Sequence, residues 1–162
     1  MKRPLFKNYG RLILSILICQ AAGWIGAIFT SSSVKLWYPY LAKPFFNPPS
    51  WVFGPVWTLL FLLMGVSLYI VWQNGSRSKY YGPAMFVFFA QLVFNIFWSV
   101  LFFGLKSPLA AFFEIIMLWS LIWAMIIVFR RISRTASNLQ IPYLLWVSFA
   151  AVLNFCIYYL NR

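Results

Sequence analysis

Residues 12–30, 51–72, 83–103, 109–129 and 141–160 form five runs, each about 20 residues of almost unbroken apolar side chains. A helix rises about 1.5 Å per residue, so each run matches the hydrocarbon thickness of a bilayer. In lipid every backbone N–H and C=O has to be paired within the spanning structure, which makes a helix the natural form for such a run. With 64% hydrophobic and 9% charged residues, a water-soluble globule of 162 residues would lack the polar side chains to cover itself. The expected fold class is an all-α membrane protein, a five-transmembrane-helix up-down bundle forming one domain over 1–162. Its connectors are short at 73–82, 104–108 and 130–140 and long only at about 31–50.

The first run follows Lys2, Arg3, Lys7 and Arg11, an arrangement shared with secretory signals. It is too long for a typical signal core. Ala22, Gly23, Gly26 and Ala27 give it the small-residue faces of a packing helix, so it reads as a retained span. The net charge of +12 is spread over the ends of the runs, so anionic lipid headgroups rather than nucleic acid are the expected partners. Lys2, Arg3, Lys7, Arg11, Arg77, Lys79, Arg130, Arg131 and Arg134 fall on one side of five spans, and Lys35, Lys43, Lys106 and Arg162 on the other. The positive-inside rule then puts the N-terminus in the cytoplasm and the long connector on the far side.

The inventory of reactive groups is short. Histidine is absent and Glu114 is the one carboxylate side chain. Imidazole ligation, paired-carboxylate hydrolysis and a Ser-His-Asp triad are all excluded within one chain, and no metal centre or cofactor is expected. Cys19 and Cys156 both lie within apolar runs and read as small hydrophobes. Glu114 stands about 9 Å into the fourth run. A buried, partnered residue holding helices together is the favoured reading for it over a proton or ligand handle.

The connector 31–50 is built of rings and four prolines, Pro39, Pro44, Pro48 and Pro49, and leads into Trp51. Prolines fix φ and large rings need apolar neighbours, so the segment reads as a rigid lid over an aromatic cavity. Gln91, Asn95, Trp98 and Phe102 share one face of the third helix at i, i+4, i+7, i+11. Tyr143, Trp146, Ala150 and Asn154 share one face of the fifth. Lipid-facing surfaces need no amides, so both faces should turn inward. The second helix adds a stripe through Trp57, Phe61, Met64, Leu68 and Trp72. A cavity of indoles and amides under a lid carrying Lys35 and Lys43 suits a flat apolar ligand with an anionic edge, such as a porphyrin, a sterol or another planar ring system.

Separated blocks of sequence carry a more specific signal. They are Trp37-Tyr38, Leu41-x-Lys43-Pro44, Pro48-Pro49-x-Trp51-x-Phe53-x-Pro55-Val56-Trp57, Gln91-Leu92 with Asn95, Trp98-Ser99, Phe102-Phe103, Pro142-Tyr143-Leu144 with Trp146, Phe149-Ala150 and Leu153-Asn154. In these blocks the chain resembles the TspO/MBR family of tryptophan-rich sensory and translocator proteins. The resemblance implies five helices, frequently a homodimer, and a porphyrin-binding pocket beneath the first connector, with cholesterol bound by animal members. Carried over by position, that pocket comprises Tyr38, Trp57, Gln91, Asn95, Trp98, Trp146 and Ala150. Lys43, Pro44, Pro48, Pro49 and Trp51 form its lid and mouth, and Glu114 is the intramembrane acid. Leu153-x4-Tyr158-x3-Arg162 also meets a proposed cholesterol pattern that chance satisfies easily.

The function the resemblance implies is that of a bacterial membrane protein that binds tetrapyrroles, as a sensor or a transport-assisting translocator. Two alternatives stand beside it. One is a light- or oxygen-dependent porphyrin-degrading enzyme with Trp57 as redox partner. Some relatives are described as using two tryptophans for this, and the second aligns with Phe155, so degradation is expected to be weak or absent. The other is a ligand-independent interaction protein associating through the face of Gly23, Gly26 and Ala27.

Overall fold

The computed structural model describes residues 8–162. Lys2, Arg3 and Lys7, three of the charges used to orient the chain, lie outside the described residues. Six α-helices follow in order: α1 (Tyr9–Leu36), α2 (Phe53–Gly75), α3 (Tyr81–Ser99), α4 (Pro108–Arg130), α5 (Arg134–Asn138) and α6 (Ile141–Leu160). Five helical segments are long and apolar enough to cross a membrane: Tyr9–Leu36, Ser50–Gly75, Tyr81–Gly104, Pro108–Arg130 and Arg134–Leu160. The fold is the expected all-α, five-span bundle, with no strand among the described residues.

Local chemistry explains most of the helix ends. Asn8 caps α1, its Oδ1 accepting from the Arg11 N–H at 3.2 Å. The helix does not stop at residue 30 but continues through the serines to Leu36, which shortens the lid to 37–49. The Thr30 hydroxyl donates back to the Gly26 carbonyl within the helix, and the Ser33 hydroxyl to the Phe103 carbonyl in the turn after α3, so both hydroxyls are satisfied while the backbone of α1 stays helical. Prolines occupy the first turns of α4 and α6, where a missing N–H costs nothing. The end of α3 widens into a π-turn over Val100–Gly104. The short α5 falls inside the connector expected at 130–140. It is capped by Ser133 and tied to α2 by the Ser67 hydroxyl, which donates to the Ala136 carbonyl at 2.8 Å.

In the bundle α1 packs on α2 and α3, α3 on α4, and α4 on α6. Small residues set the α1–α2 spacing. A Cβ on Gly65 would stand 2.7 Å from the Ile16 Cα, and one on Gly23 would stand 2.6 Å from the Phe61 ring. Gly26 is buried, with Ser99 of α3 across from it. Gly23 and Gly26 therefore face the inside of the bundle, which corrects their reading as a surface for association with another chain.

Candidate functional site

A cavity of about 450 Å³ lies among α1, α2, α3 and α6 and below the lid. Its wall is mainly apolar and includes the indoles of Trp57, Trp98 and Trp146. Of the seven residues assigned to a pocket from sequence, Tyr38, Trp57, Asn95, Trp98, Trp146 and Ala150 line it, and Gln91 does not. Gln91 is fully buried behind the wall and acts as a support. Its Oε1 accepts from the Tyr143 hydroxyl at 3.0 Å, and that hydroxyl in turn accepts from Asn95 Nδ2 at 2.8 Å. This chain fixes the Asn95 side chain, and its Oδ1 takes no hydrogen bond among the described residues.

Of the wall indoles, Trp98 is positioned by a hydrogen bond, and Trp146 and Trp57 by ring contacts. Trp98 donates through Nε1 to Asn154 Oδ1 at 3.1 Å, and Asn154 Nδ2 donates to the Pro108 carbonyl at 2.7 Å, so one amide joins α3, α6 and the start of α4. With its N–H used, Trp98 is left with its ring faces, one stacked on Phe102 at 5.1 Å. Trp146 packs edge to face on Phe53 at 5.9 Å, and Trp57 lies tilted against Phe61 at 5.6 Å. A flat, apolar guest would meet ring faces on the α2, α3 and α6 sides, with few polar groups to orient it.

The lid is held shut by particular bonds. Tyr38 is buried at its base, and its hydroxyl donates to Asn47 Oδ1 at 2.6 Å. Burial pushes the Tyr38 phenol up to about 12. Asn161, just past α6, accepts from the Ala42 N–H and donates to the Ala42 carbonyl, both at 2.9 Å. Phe46 rests on Phe149 of α6 at 6.2 Å. Lys43, Pro44, Pro48, Pro49 and Trp51, expected at the mouth, are not on the cavity wall. Lys43 Nζ instead donates to the Pro39 and Leu41 carbonyls, over the Tyr38 ring, because these acceptors lie within reach of its own turn. Trp51 is 74% exposed.

The mouth opens sideways. The exposed members of the wall fall on two facing stripes, Trp24, Ala27, Ser31 and Lys35 on α1, and Ser50, Gly54 and Thr58 on the opening turns of the second span. Gln20 Nε2 donates to the Thr58 carbonyl at 3.1 Å and joins the two helices at one end of this gap. The stripe follows i, i+3, i+7, i+11 along α1, and of its residues only Ala27 belongs to the small-residue face expected to pack. Lys35, not Lys43, supplies the cation at the rim.

Glu114 is buried, and neither carboxylate oxygen has a hydrogen-bond partner among the described residues. The expected partnered role is corrected: the amides, phenol and indole of α3 and α6 described above satisfy one another instead. Phe155 lies on the outer side of α6 against Phe112 and Tyr159, off the cavity wall, so its identity does not alter the lining of the cavity. Leu153 lines the cavity while Arg162 sits over Tyr159, so the cholesterol pattern does not form one outward surface.

Comparison with known proteins agrees across the chain. A tryptophan-rich protein TspO from Archaeoglobus fulgidus is 47% identical over 154 residues, covering 95% of this chain and 99% of the relative. A tryptophan-rich sensory protein from Cereibacter sphaeroides is 36% identical over 91% of this chain and 89% of its own. The translocator protein of Homo sapiens is 32% identical over 83% of this chain and 80% of its own. The profile of the TspO/MBR family matches residues 15–160, and with five apolar spans, four of which line an aromatic cavity, the chain belongs to the TspO/MBR family.

Proposed function

We propose that this integral membrane protein binds tetrapyrroles in the cavity under the lid and acts as a sensor or a transport-assisting translocator. The observation that carries the reading is the wall itself. Three indoles, held by their neighbours, line a space of about 450 Å³, with Lys35 at its open side. That volume is within the roughly 300–1,000 Å³ of small-molecule sites. Ring faces favour a flat macrocycle, and a lysine at the rim favours one with carboxylates on its edge. The names of the relatives, a tryptophan-rich sensory protein and a translocator protein, support the membrane sensor or translocator part of the reading. A sterol or another planar apolar compound is the competing guest.

A bacterial cell membrane is part of the same proposal, and the asymmetry of basic residues supports a cytoplasmic N-terminus. Homodimer formation is part of the same proposal. The test is titration of purified protein with protoporphyrin IX in the dark, followed by tryptophan quenching, and then illumination of the complex. Saturable binding weakened about ten-fold by Trp146→Ala or Trp57→Ala is expected, the loss of one aromatic contact being worth about that much. Absence of saturable binding overturns the proposal. Trp57-dependent bleaching to a defined product would move the reading to a porphyrin-degrading enzyme.

A further inference from the structure

A second recess, of about 300 Å³, lies on the outer side of α1 where it meets the π-turn after α3. Ile28, Phe29 and Leu36 of α1 form its apolar wall, Phe103 and Gly104 its floor, and Lys106 its polar end. It adjoins the aromatic cavity across Phe103, which lines both, but differs from it in chemistry. Ile28 is 70% exposed and Leu36 75%, so the apolar wall faces the surroundings of the bundle. Residues 28 and 36 are about 12 Å apart along the helix. The recess therefore runs from the lid-side end of α1 toward the interior of the bilayer.

The polar end is unmatched. The Lys106 ammonium and the Ser32 hydroxyl have no hydrogen-bond partner among the described residues, and Ser32 is exposed in the recess. The neighbouring Ser33 hydroxyl is already used, donating to the Phe103 carbonyl at 2.7 Å and pinning α1 to the π-turn. Gly104 lets Phe29 come close, for a Cβ there would stand 3.3 Å from its ring. Lys106 itself has a φ of 53°, a conformation that L side chains rarely adopt. The one acidic side chain of the whole sequence is the buried Glu114. Neither this chain nor a second copy of it has a surface carboxylate side chain to offer Lys106. The occupant has to bring its own negative charge together with an apolar chain.

We infer that this recess is a binding site for one anionic phospholipid of the lid-side leaflet. Lys106 and Ser32 meet the phosphate, and one acyl chain lies along Leu36, Phe29 and Ile28. An ammonium and a hydroxyl are donors, and phosphate oxygens are strong acceptors. The apolar wall then adds burial that a free phosphate ester would not gain.

The test is native mass spectrometry of the protein released from detergent with phosphatidylglycerol or phosphatidylcholine of identical acyl chains. One retained phosphatidylglycerol, in preference to phosphatidylcholine, is expected. Lys106→Gly, which removes the charge and suits the positive φ, should reduce that preference about five-fold, as expected for one lysine at a membrane surface. Lys79→Ala, at the opposite end of the bundle, should leave it unchanged. Glycerol 3-phosphate should not displace the lipid at millimolar concentration. The site is overturned if the wild type shows no preference, if Lys106→Gly keeps it, if Lys79→Ala removes it equally, or if glycerol 3-phosphate competes fully. It is also overturned if Lys106→Gly shifts the monomer–dimer balance instead of lipid retention, which would make the recess a contact between copies. None of these readouts depends on porphyrin binding.

Discussion

The wall contributed by α3 and α6 and the lid above it both depend on asparagines, yet the two regions are held differently. In the wall, Asn95 and Asn154 are buried and each joins helices: one pairs with Tyr143 and thereby Gln91, the other bridges Trp98 and the start of α4. In the lid, Asn47 and Asn161 act near the surface and tie a loop to Tyr38 and to the end of α6. Polar groups deep in a bundle have no water to replace a lost partner, whereas those at the rim do. The wall is thus a preformed surface, and the lid a separable cover.

Asn154→Leu gives the largest expected effect because it leaves the Trp98 indole N–H without its partner and breaks the tie from α6 to the Pro108 carbonyl at the start of α4. A loss of about 1–2 kcal/mol of stability is expected, at the upper end of what such contacts contribute in membrane proteins. Unfolding in mixed micelles measures it. Affinity for protoporphyrin IX should fall with it, since Trp98 loses its fixed orientation. A variant as stable as wild type would show that the wall is not held by this bridge.

The next pair of variants separates the lid from the sideways opening. Gly54 has nothing within 4 Å of where a Cβ would be, so a side chain has room to start there, and Gly54→Trp is expected to fill the gap between α1 and α2. It should slow porphyrin association about ten-fold, within the range that interface changes impose on association rates. Asn161→Ala should leave stability within about 0.5 kcal/mol, as surface substitutions usually do, while hydrogen exchange at 37–49 rises. If Asn161→Ala speeds association and Gly54→Trp does not slow it, guests enter through the lid.

How far the sequence revealed this arrangement follows from the same contrast. The α3 stripe of Gln91, Asn95, Trp98 and Phe102 was legible because a helix repeats every 3.6 residues and amides avoid lipid. That Gln91 supports the wall rather than lining it was not legible, since sharing a face does not give depth. The path of α1 beyond residue 30 was obscured by Ser31, Ser32 and Ser33, which resemble a loop in composition. The bonds of Thr30 to Gly26 and of Ser33 to Phe103 depend on a helix already in place. Gly23 and Gly26 showed only that something approaches closely, and the neighbours proved to be Phe61 and Ser99 of the same chain. Lys43 was read by its position in the lid, but its ammonium folds back on local carbonyls.

Tyr38→Phe has an effect confined to the lid and sharpens the contrast furthest, since it removes one hydroxyl at the junction of lid and cavity. The lost bond to Asn47 should cost about 1 kcal/mol of lid closure, read as faster exchange at 37–49 with little change in global unfolding. Its dependence on pH has a definite sign. Burial raises the phenol from an ordinary value near 10 to about 12, so the closed lid favours the neutral form. The contribution of Tyr38 is then fully present below pH of about 10, and it is lost as pH rises through about 12, because the opened lid releases its proton first. The exchange difference between wild type and Tyr38→Phe should hold constant from about pH 6 to 9 and shrink between about 10 and 12. A difference that already varies near neutral pH would mean that another group controls the lid, and would leave the hydrogen bond to Asn47 as a consequence of closure rather than its cause.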